Sequence, residues 1–299
     1  MKITILGTGA TASLFGARLA SHADVTLLGT WRESILAIRK DGIRCESPDG
    51  ITVVKVNATD DPAECAETDL VLTLTKANRT RAAAARAASI LKETGLALTL
   101  QNGLGNVEIL REIFGADQAA GGTIILGANL LAPGVVRWNG EGAVWVEKHP
   151  RTLPAIELLT TAGFETHLAF NLDSLLWGKL VANTAINPLS ALLRIPNGEL
   201  VERDQVRMTL EAVARETAAV AAALGITLPY DDPAAYVVDV ARRTASNRSS
   251  MLRDLESGRE TEVDAINGAV VAAAERVGVL APWNVNMLKM IKAAEKAGL

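Results

Sequence analysis

The first thirty residues alternate between short apolar runs and a glycine-rich turn. Residues 2–6 (KITIL) are a β-branched apolar run of the kind that parallel sheets bury. A turn at 7–12 (GTGATA) follows, then a helical pattern over 13–21 and a second apolar run over 25–28. This order of strand, glycine turn, helix and strand predicts one βαβ unit.

The same alternation continues through the first half of the chain. Such a series of apolar runs and helical patterns is typical of a doubly wound sheet. Residues 132–147 predict a β-hairpin with Asn139-Gly140 near its turn, which would close the sheet with antiparallel strands. The other predicted strands are 70–74, 96–100 and 121–127, and the predicted helices include 79–91 and 106–114.

Beyond about residue 170 the pattern is helical only. The run Asp231-Asp232-Pro233 predicts a helix start, and Gly278 predicts a helix end. The sequence therefore predicts an α/β protein of two domains. An N-terminal Rossmann-type doubly wound sheet occupies 1–169, and a C-terminal all-α domain occupies 170–299.

Composition narrows the functions to be considered. The 299 residues include 30 Lys or Arg and 34 Asp or Glu, a formal net charge of −4, so no nucleic-acid partner is predicted. No apolar run reaches the ~20 residues that span a bilayer, and the N-terminus lacks the apolar core of a signal peptide. Two cysteines, Cys45 and Cys65, and three scattered histidines predict neither a disulfide framework nor a metal site. We expect a cytoplasmic protein without a metal or a membrane association.

The glycine turn is typical of dinucleotide-binding βαβ units. Gly7 permits the tight turn, Gly9 lets the backbone approach a pyrophosphate, and Ala12 replaces a third glycine where the helix packs on the strand. The helix N-terminus then presents its N–H groups to the phosphates. An ordinary βα turn is the alternative, but the strand and helix on either side favour a dinucleotide site.

The end of the second strand bears on the choice of coenzyme. NAD enzymes usually place Asp or Glu there to bind the ribose 2′-hydroxyl, whereas this chain has Thr30 and Arg32. Both side chains can donate to a 2′-phosphate, so NADP (as NADPH) is favoured. Two alternatives stay open: Arg32 as a solvated surface charge, and Glu33 as a ribose ligand brought back by the loop.

Polar residues also follow other predicted strands, at the edge of the sheet where ligands bind. Lys76 could meet a phosphate or a substrate carboxylate, and the Asn102 amide could orient a carboxamide or carbonyl group. The Asn102-Gly103 pair is also typical of a turn with glycine at positive φ.

A polar stripe crosses an otherwise apolar helical pattern in the second half. Lys179, Asn183 and Asn187 are spaced four residues apart, so their directions around a helix differ by only about 40° and 80°. A buried Lys can have a lowered pKa and act as a general acid near neutral pH. The spacing predicts a site, with a solvated face and a kink at Pro188 as the alternative.

A second polar cluster spans 247–264. Asn247 or Ser249 can cap the helix that follows, and the acidic residues near 262 suit a helix N-terminus. Asn197 can be an N-cap in the same way. These structural roles stay open beside a binding role.

These segments together resemble the ketopantoate reductase (2-dehydropantoate 2-reductase) family over nearly the whole chain. The resemblance implies NADPH-dependent reduction of the C2 ketone of 2-dehydropantoate to (R)-pantoate in pantothenate biosynthesis. The segments that carry it are the GTGATA turn, Lys76, LQNGLGN (100–106), LLAPGVVRWNGEG (130–142), WGKLVANTAINPLSAL (177–192), IPNGEL (195–200) and SSMLRDLESGRETEVDAINGAV (249–270).

The resemblance implies roles for individual residues. Lys179 matches the proton donor to the developing alkoxide, and Glu262 matches an essential glutamate that either receives the substrate hydroxyl or orients Lys179. The implied substrate contacts are Asn102, Asn183, Asn187, Asn197, Asn247 and Ser250. With Thr30 and Arg32 added from the strand end, the expected cofactor contacts are Gly7, Thr8, Gly9, Ala10, Thr11, Ala12, Thr30, Arg32, Lys76, Asn102, Ala128 and Glu262.

Two further expectations concern substrate and assembly. Many family members carry Arg directly after the second strand, where this chain has Thr30, so NADH remains an alternative coenzyme. A reductase of the same fold acting on a different small 2-oxo acid is the alternative function. The helical domain often mediates dimers in the family, which makes a homodimer an expected assembly.

Overall fold

The computed structural model describes residues 1–298, and the chain divides into two compact units. Unit 1 consists of Met1–Gln101 and Gly105–Leu172, and unit 2 of Asn102–Leu104 and the chain from Asp173 onward. The division predicted at 169/170 placed 102–104 in the first domain, whereas these three residues pack with unit 2. Which unit binds which ligand stays a prediction.

The strands of unit 1 form one sheet. In chain order they are β1 (Lys2–Leu6), β2 (Asp24–Leu28), β3 (Ile43–Ser47), β4 (Gly50–Val54), β5 (Asn57–Thr59), β6 (Thr68–Thr73), β7 (Leu91–Thr99), β8 (Ala119–Ala132), β9 (Val135–Glu147) and β10 (Glu165–Ala169). The strand order is β4-β3-β9-β8-β7-β6-β1-β2-β5, with β10 paired to β9. Because β1 lies parallel between β2 and β6, the carboxyl ends of these three strands meet at one edge.

Five α-helices accompany this sheet among the described residues. They are α1 (Ala10–Leu19), α2 (Arg32–Asp41), α3 (Thr80–Ala87), α4 (Asn106–Phe114) and α5 (Leu153–Thr161). Helix α1 begins three residues before the predicted 13–21. Its Phe15 is fully buried and stacks on Phe164 with ring centroids 4.4 Å apart, a contact worth about 0.5–1.5 kcal/mol beyond burial. This packing anchors the helix that follows the glycine turn.

The turn of the hairpin predicted at 132–147 was placed at the wrong residues. β8 and β9 pair antiparallel and are joined at Pro133-Gly134, where Gly134 has φ +73°. Asn139-Gly140 lies inside β9, between the pairs Leu126–Gly142 and Ala128–Trp138. More residues lie on β9 than on β8 between these pairs, so Asn139-Gly140 forms a β-bulge. Glycine at positive φ is found in bulges as well as in turns, so the Asn139-Gly140 pair alone does not distinguish the two.

All the regular secondary structure described in unit 2 is helical, joined by turns and loops, which confirms the all-α prediction. Its elements are α6 (Leu172–Leu193), α7 (Glu199–Glu202), α8 (Asp204–Ala223), α9 (Pro233–Arg243), α10 (Ser250–Glu256), a π-helical turn (Asp264–Gly268), α11 (Ala269–Val277) and α12 (Pro282–Ala297). Asp232 caps α9 and accepts from the N–H groups of Ala234 and Ala235 at 2.9 and 3.0 Å. The α/β fold class with a Rossmann-type sheet is confirmed as well.

Helix α6 is buried on most of its sides. Trp177 and Leu180 belong to one apolar cluster of unit 2, whereas Val181 and Ala185 belong to another. Burial of a side chain such as Leu180 or Val181 contributes roughly 1.5–3 kcal/mol. The helix is thereby held between two cores and is a rigid support for its polar residues.

Residues 1–298 contain neither a candidate membrane span nor a candidate metal site. No described helix is long and apolar enough to cross a membrane. No group of three or more described His, Cys, Asp or Glu side chains is arranged to hold a metal ion.

Candidate active site

The glycine turn leaves the N-terminus of α1 open. Gly7 has φ +119°, which L side chains rarely adopt, and a Cβ there would lie 3.3 Å from the Leu74 carbonyl oxygen. Gly9 is the N-cap of α1, and a Cβ there would meet no described heavy atom within 4 Å. The helix begins without a side-chain cap from the described residues. Open space beside uncapped N–H groups fits the pyrophosphate of a dinucleotide.

The neighbouring strand end places Arg32 and Glu33 in different surroundings. Arg32 is the exposed first residue of α2, and its side chain makes no ion pair within residues 1–298. The Glu33 carboxylate instead accepts the indole N–H of Trp31. The Ser34 hydroxyl donates to the Thr8 carbonyl at 3.1 Å and so ties α2 to the glycine turn. The arrangement favours a ligand contact for Arg32 over one for Glu33.

Gln101 holds the loop that carries Lys76. Its amide nitrogen donates to the Thr75 carbonyl at 2.7 Å and to the Thr80 hydroxyl at 2.8 Å. Its amide oxygen accepts from the Thr99 hydroxyl at 2.8 Å. Lys76 follows Thr75 directly and is half-buried. No role was predicted for Gln101, although its position as a polar residue directly after a buried strand is a usable signal.

Ala128 and Thr30 are the remaining predicted cofactor positions of unit 1. Ala128 is half-buried in β8 beside the bulge of β9, whereas Thr30 is exposed after β2. Bulges are frequent next to active sites, where they redirect a strand.

Lys179 and Asn102 are in direct contact within unit 2. The Lys179 ammonium donates to Asn102 Oδ1 with a distance of 2.7 Å from Nζ. Burial lowers the pKa of Lys179 to about 8, and the Glu262 carboxylate opposes this by raising it. Two residues predicted from distant segments are thus joined by a hydrogen bond, and Glu262 is close enough to act on the charge of Lys179.

The turn after Asn102 explains how it reaches Lys179. Gly103 has φ +81°, and a Cβ there would lie only 2.5 Å from the Ala265 carbonyl oxygen. The Leu104 N–H donates to that same oxygen at 3.1 Å. The glycine turn that was one interpretation of Asn102-Gly103 is present, and it brings the Asn102 amide to Lys179. A site role for Asn102 stays a prediction.

Gly178 lets a loop pack directly against α6. A Cβ at Gly178 would lie 2.8 Å from Pro229 Cδ and Cγ. The next residue, Tyr230, donates its hydroxyl hydrogen to the Gly178 carbonyl at 2.8 Å and stacks on Tyr236 at 3.8 Å. The backbone just before Lys179 is therefore fixed by a contact that was not predicted. The glycine inside a helical pattern was the signal for it.

The beginning of α10 lies beside Asn187. Ser249 caps α10 by accepting from the Leu252 N–H at 3.1 Å, as its structural interpretation predicted, and its hydroxyl donates to the Asn187 carbonyl at 3.4 Å. Ser250, the first residue of α10, is half-buried, as are Asn183 and Asn187.

Asn197 and Asn247 are brought together by the backbone. The Asn197 N–H donates to the Asn247 carbonyl at 3.0 Å, and the Asn197 amide nitrogen donates to the Thr244 hydroxyl at 2.9 Å. Asn197 Oδ1 is buried with no hydrogen-bond partner among the described residues. The N-cap interpretation of Asn197 is wrong, since Gly198 precedes α7. Asn247 is exposed.

Comparisons with known proteins agree on one family. The family model described as ketopantoate reductase PanE/ApbA matches residues 3–151, and its C-terminal counterpart matches 171–295. The 2-dehydropantoate 2-reductase of Pyrococcus horikoshii is 36% identical over 307 residues, covering 100% of this chain and 99% of that protein.

Two solved structures have nearly the same fold. A PanE/ApbA family ketopantoate reductase from Ralstonia eutropha has a TM-score of 0.94 and 31% identity, covering 100% of this chain and 99% of that one. The ternary structure of a D-mandelate dehydrogenase with NADH and anilino(oxo)acetate has a TM-score of 0.93 and 25% identity, with the same coverage.

Proposed function

Because this chain belongs to the ketopantoate reductase family, a group of oxidoreductases, we propose that it reduces the C2 ketone of 2-dehydropantoate to (R)-pantoate with NADPH. The reaction serves pantothenate biosynthesis in the cytoplasm, with the dinucleotide on unit 1 and the substrate on unit 2. The observation that carries the proposal is Lys179, whose ammonium bonds Asn102 Oδ1 at 2.7 Å and has a pKa of about 8.

Lys179 is the general acid of this reaction. A bound nicotinamide coenzyme supplies the hydride. Negative charge then develops on the ketone oxygen, and the Lys179 ammonium stabilises it by a charge-assisted hydrogen bond. A proton passes from Lys179 Nζ to that oxygen, which leaves an alcohol and a neutral amine. Asn102 Oδ1 orients the ammonium for this transfer, and Glu262 keeps it protonated by raising its pKa.

The remaining polar residues of unit 2 hold the substrate in this proposal. Amide and hydroxyl groups can bind both the carboxylate and the hydroxyl of 2-dehydropantoate without adding charge. The buried oxygen of Asn197, which has no partner among the described residues, can accept from a substrate hydroxyl. The proposed substrate contacts are Asn102, Asn183, Asn187, Asn197, Asn247 and Ser250.

The open glycine turn holds the coenzyme pyrophosphate in this proposal. Arg32 and Thr30 donate to the 2′-phosphate, which makes NADPH the preferred coenzyme. The proposed coenzyme contacts are Gly7, Thr8, Gly9, Ala10, Thr11, Ala12, Thr30, Arg32, Lys76, Asn102, Ala128 and Glu262.

The direct test is NADPH oxidation in the presence of 2-dehydropantoate. The loss of reduced-coenzyme absorbance should depend on the substrate, and the product should be the R enantiomer. A second candidate is reduction of another 2-oxo acid, favoured by the likeness to the D-mandelate dehydrogenase. An assay with a panel of 2-oxo acids that includes phenylglyoxylate, the 2-oxo acid related to mandelate, decides between them. If kcat/KM is higher for phenylglyoxylate than for 2-dehydropantoate, 2-dehydropantoate is not the preferred substrate.

We also propose that the protein is a homodimer. Sedimentation velocity across a range of protein concentrations measures this directly, and a monomer at every concentration would contradict it.

The pH dependence of the two reaction directions tests Lys179. Reduction needs the protonated amine, so kcat/KM falls as the pH rises through about 8. Oxidation of pantoate needs the neutral amine, so its kcat/KM rises over the same range. Replacing Glu262 by Gln removes the carboxylate that raises the pKa, so the midpoint of both limbs should move below that of the wild type. If kcat/KM changed with pH in the same sense for reduction and for oxidation, Lys179 would be excluded as the proton donor.

Coenzyme preference should depend on Arg32. We expect Arg32→Ala to raise the KM for NADPH by roughly tenfold, the scale of one charge-assisted hydrogen bond. The KM for NADH, which lacks the 2′-phosphate, should stay nearly unchanged. Lys40→Ala is the matched control, since Lys40 is an exposed cation at the other end of α2. An equal rise in KM for both coenzymes would show that Arg32 does not bind the 2′-phosphate.

A further inference from the structure

Pro188 leaves one carbonyl of α6 without its usual donor. In an α-helix the Thr184 carbonyl accepts the N–H of the residue four positions later, which here is Pro188. Proline has no N–H, and its ring disturbs the preceding turn. Helix α6 nevertheless continues to Leu193, so the buried Thr184 carbonyl needs another partner.

Asn267 supplies that partner from another element. Its amide nitrogen donates to the Thr184 carbonyl at 3.0 Å, and the side chain is fully buried. The same nitrogen donates to Asn284 Oδ1 at 3.0 Å. One side-chain amide thus replaces the N–H that Pro188 lacks.

A carboxylate fixes the direction of this chain of amides. Glu216 can only accept when it is ionised, and it bonds the Asn284 amide nitrogen at 2.9 Å and the Asn284 N–H at 2.7 Å. The oxygen of the Asn284 amide must then face Asn267. It follows that Asn267 presents its nitrogen, and not its oxygen, towards Asn284 and Thr184.

Burying the Asn267 amide costs free energy, which indicates that its N–H donors have a structural role. Asn267 Oδ1 has no hydrogen-bond partner among the described residues, and an unsatisfied buried oxygen is unfavourable. A leucine of similar volume would fill the same space without that cost. The position therefore gains from the two N–H donors of the amide.

Asn267 also lies where the catalytic segments meet within unit 2. It belongs to the π-helical turn Asp264–Gly268, which begins two residues after Glu262. The Ala265 carbonyl of that turn accepts the Leu104 N–H at 3.1 Å and so holds the loop of Asn102. One five-residue turn is thus bonded to the helix of Lys179 and to the loop of Asn102.

We infer that Asn267 is a positioning residue for the reduction: its amide replaces the missing N–H of Pro188 and fixes the Lys179 helix relative to Glu262 and Asn102. The kinetic part of this inference rests on the proposed function. The structural part, a bond that compensates for a proline, does not depend on the substrate.

A double-mutant cycle between positions 267 and 188 tests the inference. Asn267→Leu should lower kcat by about tenfold or more, since small misplacements of catalytic groups are costly, and should leave the Kd for NADPH unchanged. Pro188→Ala restores the helical N–H to the Thr184 carbonyl. In that background Asn267→Leu should lose markedly less kcat and less Tm than it does in the wild type.

Ser190→Ala is the matched control. It removes a buried hydrogen bond of the same helix, from the Ser190 hydroxyl to the Ile195 carbonyl at 2.9 Å, but keeps the bond from Asn267 to Thr184. We therefore expect Tm to fall while kcat stays within about twofold of the wild type. An equal kcat loss in Ser190→Ala would reduce the role of Asn267 to general stability and overturn the inference. So would a folded Asn267→Leu variant with wild-type kcat.

Two further outcomes of the double-mutant cycle also decide the matter: a failure of Asn267→Leu to fold, and a failure of the proposed function. If Asn267→Leu does not fold, recovery of folding and kcat in the Pro188→Ala, Asn267→Leu double variant supports the inference, and no recovery overturns it. Failure of the proposed function looks different: the wild type then leaves 2-dehydropantoate unreduced, while the Tm coupling between the two positions is still present.

Discussion

Lys179→Ala is expected to lower kcat for 2-dehydropantoate reduction by about 10²- to 10⁴-fold, the usual scale of general acid catalysis. The variant loses both the proton that Nζ gives and the positive charge that stabilises the developing alkoxide. NADPH binding should survive, because the proposed coenzyme contacts lie mainly in unit 1. Stopped-flow turnover and a separate NADPH titration measure the two effects.

Lys289→Ala is the control for the loss of a lysine. Lys289 lies exposed on α12 of the same unit, and its removal should leave kcat unchanged. Near-wild-type turnover in Lys179→Ala would exclude the lysine as the acid, and loss of NADPH binding in that variant would point to a structural role.

Gly103→Ala is expected to have the second largest effect. The added Cβ would lie 2.5 Å from the Ala265 carbonyl oxygen and would sit on a backbone with φ +81°. Overpacking and the left-handed conformation together cost about 2–4 kcal/mol. Relief of the clash must move the loop that holds Asn102 beside Lys179, so kcat should fall by roughly tenfold or more. Chemical denaturation and steady-state kinetics measure the two losses.

Gly105→Ala isolates the clash from the backbone strain. Gly105 has nearly the same conformation, φ +88°, but a Cβ there meets no described heavy atom within 4 Å. Its substitution should cost only about 1–2 kcal/mol and leave kcat unaltered. If the two alanine variants behaved alike, the contact between Gly103 and Ala265 would have no part in holding Asn102.

The local features of this fold could be predicted because their causes are local. The β1–α1 unit follows from an apolar run and a glycine turn, and α4 (Asn106–Phe114) was predicted with its observed bounds. Asn139-Gly140 shows the limit of such signals. The pair needs positive φ in a turn and in a bulge alike, and only the pairing with β8 decides between them.

The sequence predicts which residues form the candidate site but not the contacts among them. Lys179 and Asn102 were both candidates, and their bond joins residues 77 positions apart. The partners of Gln101 and Asn267 are 26 and 83 positions away along the chain, so the local pattern could not predict these contacts. A kink at Pro188 was part of the structural alternative for the polar stripe, yet the donor that replaces its missing N–H depends on tertiary packing. Substrate contacts of the asparagines and Ser250 stay predictions.

The membership of Asn102–Leu104 in unit 2 has a consequence for recombining this protein with its relatives. A helical half excised from Asp173 onward would leave behind the residue that accepts the Lys179 hydrogen bond. A chimaera made by joining two parents near residue 172 would therefore combine the lysine of one parent with the amide loop of the other. A chimaera that keeps the lysine and its amide partner from one parent must take Asn102–Leu104 from the same parent as the chain from Asp173 onward. The smallest exchangeable module of this enzyme is therefore discontinuous in sequence.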